Sequence, residues 1–222
     1  MQMKCAVITG ANRGIGLALT QEYLKSNYRV IAVCRSASEA LSATGAEVIS
    51  DIDMSDEKSI ALLAERLKTV SIDVLINNAG ILDVDTLGTI NFEALLKQIE
   101  VNSLGPLRVT EALLDNFSDG AKIGLITSRM GSISDNGSGG YYGYRMSKAA
   151  LNAAGMSLAI DLSPKGVAVA ILHPGFVQTD MVNMSGDVSA AAAAQCLIER
   201  MNALTLETSG TFWHANGEQL PW

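Results

Sequence analysis

Cysteine, histidine and proline are scarce in this chain of 222 residues, with three, two and four of each. Cys5, Cys34 and Cys196 form an odd set without metal-ligand spacing, which argues against a disulfide framework and for buried thiols in a reducing cytoplasm. His173 and His214 are too few for a histidine-rich centre, so no metal is expected. No apolar run reaches the length of a membrane span, and no charged leader with an apolar stretch precedes the first β-rich run, so neither a membrane partner nor a secretory signal is expected. Positive charge is in deficit: the net charge of −7 argues against a non-specific partner such as nucleic acid or an anionic membrane, though a local basic site stays open. Internal repeats, low-complexity tracts and linkers are also missing. With 48% hydrophobic and 18% charged residues, the composition is that of one ordinary globular domain spanning 1–222.

What the chain does contain is alternation. Residues 4–9, 29–34, 47–50, 73–76, 122–127 and 167–172 read as short apolar strands, with 211–214 as a last one. Residues 14–26, 58–68 behind an Asp56 cap, 92–117, 141–162 and 190–204 read as helices. Pro106 lies inside the third of these and calls for a kink, or for a first turn placed there. Strands this apolar are buried on both faces, and helices separate them. The pattern predicts an α/β fold, a parallel sheet with right-handed crossovers between two helical layers.

Gly10, Gly14 and Gly16 fall between the first strand and the first helix, spaced G-x-x-x-G-x-G, with Asn12, Arg13 and Ile15 among them. A backbone bare of side chains can approach a pyrophosphate, and a helix N-terminus adds free N–H donors and positive potential. A tight turn would use the same glycines, but the place directly after an N-terminal strand favours a nucleotide. An acid at the end of the second strand would accept from the ribose 2′-hydroxyl of NAD. The chain has Arg35 and Ser36 there instead. Arg35, with Arg13 closing from the glycine loop, suits a 2′-phosphate through charge-assisted forked bonds, so NADP(H) is expected over NAD(H). The alternative is that either arginine is a solvated surface residue. Asp53, next to Met54 and just past the third strand, either accepts from the adenine amino group or shares a capping role with Ser55 or Asp56.

Tyr144 stands four residues before Lys148, a spacing that puts both on one helix face. A free phenol is too weakly acidic to serve as a base near neutrality, and an adjacent ammonium would lower its pKa. Ser128 leaves the fifth strand at its carboxyl end, where ligands bind in open parallel sheets, and its hydroxyl can hold a substrate oxygen beside Tyr144. Alone, Tyr-x-x-x-Lys describes many ordinary helix surfaces. Its conjunction with Ser128 and the glycine loop makes it a site for passing a proton to or from a carbonyl oxygen while hydride is transferred.

Together these residues resemble the short-chain dehydrogenase/reductase family over nearly the whole chain. Thr9–Gly16 fits its T-G-x-x-x-G-I-G loop, and Asn77-Asn78-Ala79-Gly80 fits its N-N-A-G motif. Asn102 falls at its catalytic asparagine, Ser128 with Tyr144 and Lys148 at its serine and Y-x-x-x-K, and Pro174-Gly175 with Val177 and Thr179 at its P-G segment. Within the family, Ser128–Ser132, Gly139–Arg145 and Gly210–Trp213 are similar to the C-factor and sniffer-like carbonyl reductases. The resemblance implies a seven-stranded sheet in the order 3-2-1-4-5-6-7, with a cofactor half at about 1–120 and a substrate half at about 121–222. It implies that Asn78, Ala79 and Gly80 support the cofactor, that Pro174, Gly175, Val177 and Thr179 hold its nicotinamide end, and that Asn102 holds a water linking Lys148 to solvent. By its residues alone, Asn102 reads rather as a helix-interior amide bonded to backbone. A homodimer or homotetramer through the helices at 92–117 and 141–162 is also compatible with it.

The chain departs from the family in two places. The gap between Ser128 and Tyr144 is longer than usual, which predicts a bulging loop at 134–140. The segment 181–187 is short where many members carry a long lid, which predicts an open pocket. Met130, Tyr141, Phe176, Met181 and Met184 are its candidate walls, each of which ordinary core packing would explain as well. The expectation is a cytoplasmic NADPH-dependent reductase of ketones and aldehydes, reversible on alcohols. The alternative is a cofactor-binding signalling or redox-sensing protein of the C-factor type with little turnover.

Overall fold

The computed structural model describes residues 3–222. Seven strands, β1 (Cys5–Thr9), β2 (Arg29–Val33), β3 (Glu47–Ile49), β4 (Ile72–Asn77), β5 (Phe117–Ile126), β6 (Ala168–His173) and β7 (Phe212–His214), form one sheet in the order β3-β2-β1-β4-β5-β6-β7. Every neighbouring pair is parallel. Helices join the strands: α1 (Gly14–Lys25), α2 (Glu39–Ser42), α3 (Glu57–Leu67), α4 (Phe92–Ile99), α5 (Gly105–Ala112), α6 (Tyr142–Leu162) and α7 (Ala190–Ala203). Alternate strand residues feed two cores, as a sheet covered on both faces requires. Val7, Ile31, Leu75, Ile123 and Ile171 pack with α3, α5 and α6, while Ala6, Ile8, Ala32, Ile76 and Leu172 pack with α1, α2 and α7.

The expected helix over 92–117 is interrupted. α4 passes into a π-helical turn, Glu100–Leu104, and α5 then starts afresh with Pro106 in its first turn. Proline lacks the N–H that a continuous helix would need, and a wider turn placed before it absorbs the gap. Gly105 permits a close crossing there, since a Cβ on it would lie 3.0 Å from the Met54 Cβ. The helix ends at Ala112 rather than Phe117, because the Asn116 amide turns away to donate to the Leu67 and Val70 carbonyls at 2.6 and 2.9 Å. β5 begins earlier than expected, at Phe117, with a register shift against Ile72 and Val74. Its polar opening Ser118-Asp119-Gly120 hid it from an apolar reading, yet Ser118 donates to Asp73 at 2.9 Å. α2 was not expected either. Ser38 caps it by accepting from the Leu41 N–H at 3.1 Å, and Leu41 is fully buried.

α6 crosses the sheet at Gly155, where an added Cβ would stand 2.7 Å from Ile171 Cδ1 and 2.9 Å from Leu125 Cδ1. We expect Gly155→Val to destabilise the fold by about 1–3 kcal/mol through overpacking, read as a lower urea midpoint with an unchanged m-value.

Candidate active site

The carboxyl ends of β1, β4, β5 and β6 open into a cleft of about 790 Å³. Its floor is an interlock between two loops. The Asn78 amide donates to the carbonyls of Thr9 and Gly10 at 3.0 and 3.2 Å, and the Thr9 hydroxyl accepts from the N–H groups of Asn78 and Ala79, both at 3.1 Å. Gly10 takes φ +65°, and a Cβ there would lie 2.8 Å from the Ala79 Cα. A Cβ on Gly16 would collide with the Gly10 carbonyl. The result is a backbone cradle at the α1 N-terminus that side chains would fill, which fits the phosphates of a dinucleotide.

Of the residues expected to hold a cofactor, Gly10, Asn12, Arg13, Gly14, Ile15, Arg35, Asp53, Met54, Asn78, Ala79, Gly80, Tyr144, Lys148, Pro174, Gly175, Val177 and Thr179 line this one cleft. Gly16 and Ser36 do not reach its wall. Arg13 extends across the mouth to Asp180, 3.0 Å away, in an ion pair that the sequence did not suggest. Asp53 accepts from the Ser55 N–H and hydroxyl at 2.8 and 2.6 Å. Burial opposes its ionisation, but these bonds, with Lys97 and Arg35 nearby, outweigh that and hold its carboxyl below the ordinary value. Asp56, not Asp53, caps α3, accepting from Lys58 and Ser59.

At the other end lie Ser128, Tyr144 and Lys148, all buried. Ser128 lies two residues past the end of β5 and accepts from the Met130 N–H at 3.1 Å. Lys148 donates from Nζ to the Ile126 carbonyl at 2.9 Å, and Nζ stands 5.8 Å from the centre of the Tyr144 ring. Burial pushes the Tyr144 phenol up to about 12, only partly offset by its hydrogen bond with Ser128. Burial likewise lowers the Lys148 ammonium to about 8. The expected depression of the phenol by Lys148 is therefore not seen. Burial penalises both charged forms, and it dominates.

Asn102 sits in the π-helical turn. Its amide donates to the Ile81 carbonyl and Ser147 hydroxyl at 2.8 and 2.9 Å and accepts from the Ile81 N–H at 2.8 Å. This is the backbone-bonded arrangement, and it lies close to Lys148: a Cβ on Gly80 would be 3.3 Å from Asn102 Oδ1 and 3.7 Å from Lys148 Nζ. The Ser147 hydroxyl in turn donates to the Tyr144 carbonyl at 2.8 Å.

Among the expected pocket walls, Met130, Phe176 and Met181 line the cleft, and Tyr141 and Met184 do not. Tyr141 is not the first helical residue but the one before α6, in the left-handed region at φ 52°. The short segment after Thr179 folds back on itself, with Gln178 donating to the Val188 carbonyl at 2.8 Å and Asp187 to the Phe176 carbonyl at 2.8 Å. The loop 129–140 is fastened by Arg145, which donates to the carbonyls of Gly140 and Met130 and to the Ser138 hydroxyl at 3.2, 3.4 and 2.9 Å. Arg129, Arg145, Lys97, Asp135, Asp180 and His173 also line the cleft and were missed by sequence reasoning. Arg129 and Arg145 directly follow Ser128 and Tyr144, which was the available signal. His173 lies edge-on to His214 at 4.9 Å, and burial lowers it to about 3, so it is neutral. Cationic side chains on the wall outnumber acidic ones: Arg13, Arg35, Lys97, Arg129, Arg145 and Lys148 against Asp53, Asp135 and Asp180. Among the described residues no helix is long and apolar enough to cross a membrane.

A family model described as short chain dehydrogenase matches residues 4–189. The 1-hydroxy-2-glutathionyl-2-methyl-3-butene dehydrogenase of Rhodococcus sp. (strain AD45) is 39% identical over 226 residues, covering 99% of this chain and 100% of its own. The C-signal of Myxococcus xanthus is 41% identical over 162 residues, 72% of this chain and 98% of its own. The crystal structure of an NADPH-bound carbonyl reductase from chicken fatty liver superposes over 100% of both chains with a TM-score of 0.91 at 29% identity.

The buried ammonium makes a prediction about stability. With a folded pKa of about 8 against an ordinary 10.5, Lys148 binds fewer protons folded than unfolded between those values, so its burial opposes folding most below about pH 8. We expect Lys148→Met to melt at a higher temperature than the wild type at pH 7, with the gap narrowing as pH rises from about 8 towards 10.

Proposed function

The chain belongs to the short-chain dehydrogenase family, whose members are nicotinamide-dependent oxidoreductases, and on that premise we propose that it reduces ketone and aldehyde carbonyls with NADPH, reversibly on the alcohols. The observation that carries this reading is the meeting of the glycine cradle with Ser128, Tyr144 and Lys148 in one cleft. A bound nicotinamide supplies hydride to the carbonyl carbon, or accepts it in reverse. Ser128 holds the carbonyl oxygen, and Tyr144 gives its phenolic proton to that oxygen as negative charge develops. Burial keeps this phenol protonated at neutral pH, the form that reduction needs. Lys148 returns the proton to Tyr144, and the neighbouring Asn102 turn holds the relay towards solvent. Asn12, Gly14 and Ile15 carry the pyrophosphate, Asp53 and Met54 border the adenine, and Pro174, Gly175, Val177 and Thr179 hold the nicotinamide end. Met130, Phe176 and Met181 flank the substrate.

NADPH is preferred because the chain carries Arg35 at the end of β2, where an acid would select NAD, and its guanidinium suits the ribose 2′-phosphate. Arg13 is engaged by Asp180 and contributes less. The NADPH carried by the similar carbonyl reductase supports the same preference. The C-signal relative favours one second reading, a signalling protein that holds the cofactor with little turnover.

The test is oxidation of NADPH against NADH, followed by absorbance, with ketones, aldehydes and diketones. Turnover supports the reductase, and binding without turnover supports the second reading. We expect Tyr144→Phe to lower kcat by roughly 10²-fold or more while NADPH still binds. Arg35→Asp should weaken NADPH more than NADH in fluorescence titration, and equal weakening would remove the 2′-phosphate assignment.

A further inference from the structure

We propose that Asp85 is a positioning residue for Tyr144, clamping the start of α6 from the loop after β4 and setting the charge at that helix end. The proposal rests on the reductase reading above. α6 has no cap of its own, since Tyr141 precedes it in the left-handed region and makes no capping bond through its side chain. A helix start leaves its first N–H groups without partners. Here the Asp85 carboxylate accepts from the N–H of Tyr142 and, at 2.9 Å, from that of Gly143, while the Asp85 carbonyl accepts from the Tyr141 N–H at 2.9 Å. Tyr144 is the next residue.

The clamp is anchored behind. Gln98 on α4 accepts from the Asp83 N–H at 3.0 Å, which fixes the loop two residues before Asp85. A Cβ on Gly143 would collide with the Gln98 amide and stand 3.2 Å from Asp85 Oδ2, so the helix start fits closely against this loop and α4. A displacement at Asp85 is therefore passed to the phenol through a single residue. Asp85 is only 8% exposed and has no ion-pair partner among the described residues. Its charge is met by the N–H groups and the positive end of the helix. It thus cancels a potential that would otherwise favour the phenolate, and it holds Tyr144 in the donor form. Lys148 and Ser128 stand beside the phenol, and Arg145 on α6, Arg129 beyond β5 and neutral His173 on β6 line the same cleft.

The experiment compares wild type, Asp85→Asn and Asp85→Ala in NADPH-driven carbonyl reduction and in alcohol oxidation across pH, with NADPH affinity read by fluorescence. Asparagine keeps the size and one acceptor but removes the charge. We expect kcat for reduction to fall roughly 10²-fold in Asp85→Ala and roughly tenfold in Asp85→Asn, with NADPH affinity within about twofold. We also expect the midpoint of the oxidation profile in Asp85→Asn to move to lower pH, by about half a unit or more. Rates unchanged in Asp85→Asn overturn the proposal, and so does a rate loss with an unmoved midpoint, which is the mark of an ordinary structural cap. If Asp85→Ala does not fold, Asp85→Asn decides alone. Wild-type protein that binds NADPH but turns over no carbonyl of the panel overturns the reductase reading itself, and this proposal with it.

Discussion

The contact on which the site depends is the bond from the Asn78 amide to the carbonyls of Thr9 and Gly10. In a doubly wound sheet, the first and fourth strands lie side by side where the direction of winding reverses, and their outgoing loops part there to leave a crevice. Asn78 and the Thr9 hydroxyl tie these two loops together without closing the crevice. The glycine cradle lies on one side of the tie. On the other, Gly80 leaves room for Lys148 and the Asn102 turn. A larger residue at position 79 or 80 would disturb both sides at once, so the cradle and the cluster around Lys148 are two faces of one backbone arrangement.

That arrangement stores an electrostatic conflict. A phenol, an ammonium and a hydroxyl are buried side by side on the cleft wall, and burial pushes each of the two titratable groups towards its neutral form. Buried polar groups of this kind lower stability unless they are fully bonded. Among the described residues Lys148 Nζ has one hydrogen-bond partner, the Ile126 carbonyl, and the side-chain oxygen of Asn77 has none. The two apolar cores around fully buried Ile8, Leu63, Leu75 and Ile171 are what make such a site tolerable.

The sheet and most of its helices were legible because buried parallel strands are continuous apolar runs and the helices between them carry an apolar face. The glycine loop, Ser128, Tyr144 and Lys148 were legible because their chemistry fixes both residue type and spacing. What escaped was set by long-range contacts. Nothing local marks Asp85 as a partner of residues 57 and 58 positions further on, or Arg13 as a partner of Asp180. The break in the expected 92–117 helix was half visible in Pro106, but the π-helical turn before it was not. The opening of β5 was hidden because it is polar, with the Ser118 hydroxyl bonded to Ile72 and Asp73, and does not follow the apolar alternation.

The charge on the cleft wall has a consequence for kinetics. The protein as a whole carries a net charge of −7, which repels anions, while the cleft wall presents six cationic side chains against three acids. Low-dielectric walls focus such a field outward through the mouth, so an anionic dinucleotide is drawn in along a narrow funnel while the rest of the surface turns it away. Ionic strength then acts chiefly on how fast the cofactor arrives and in which orientation, and hardly on the shielded groups at the bottom.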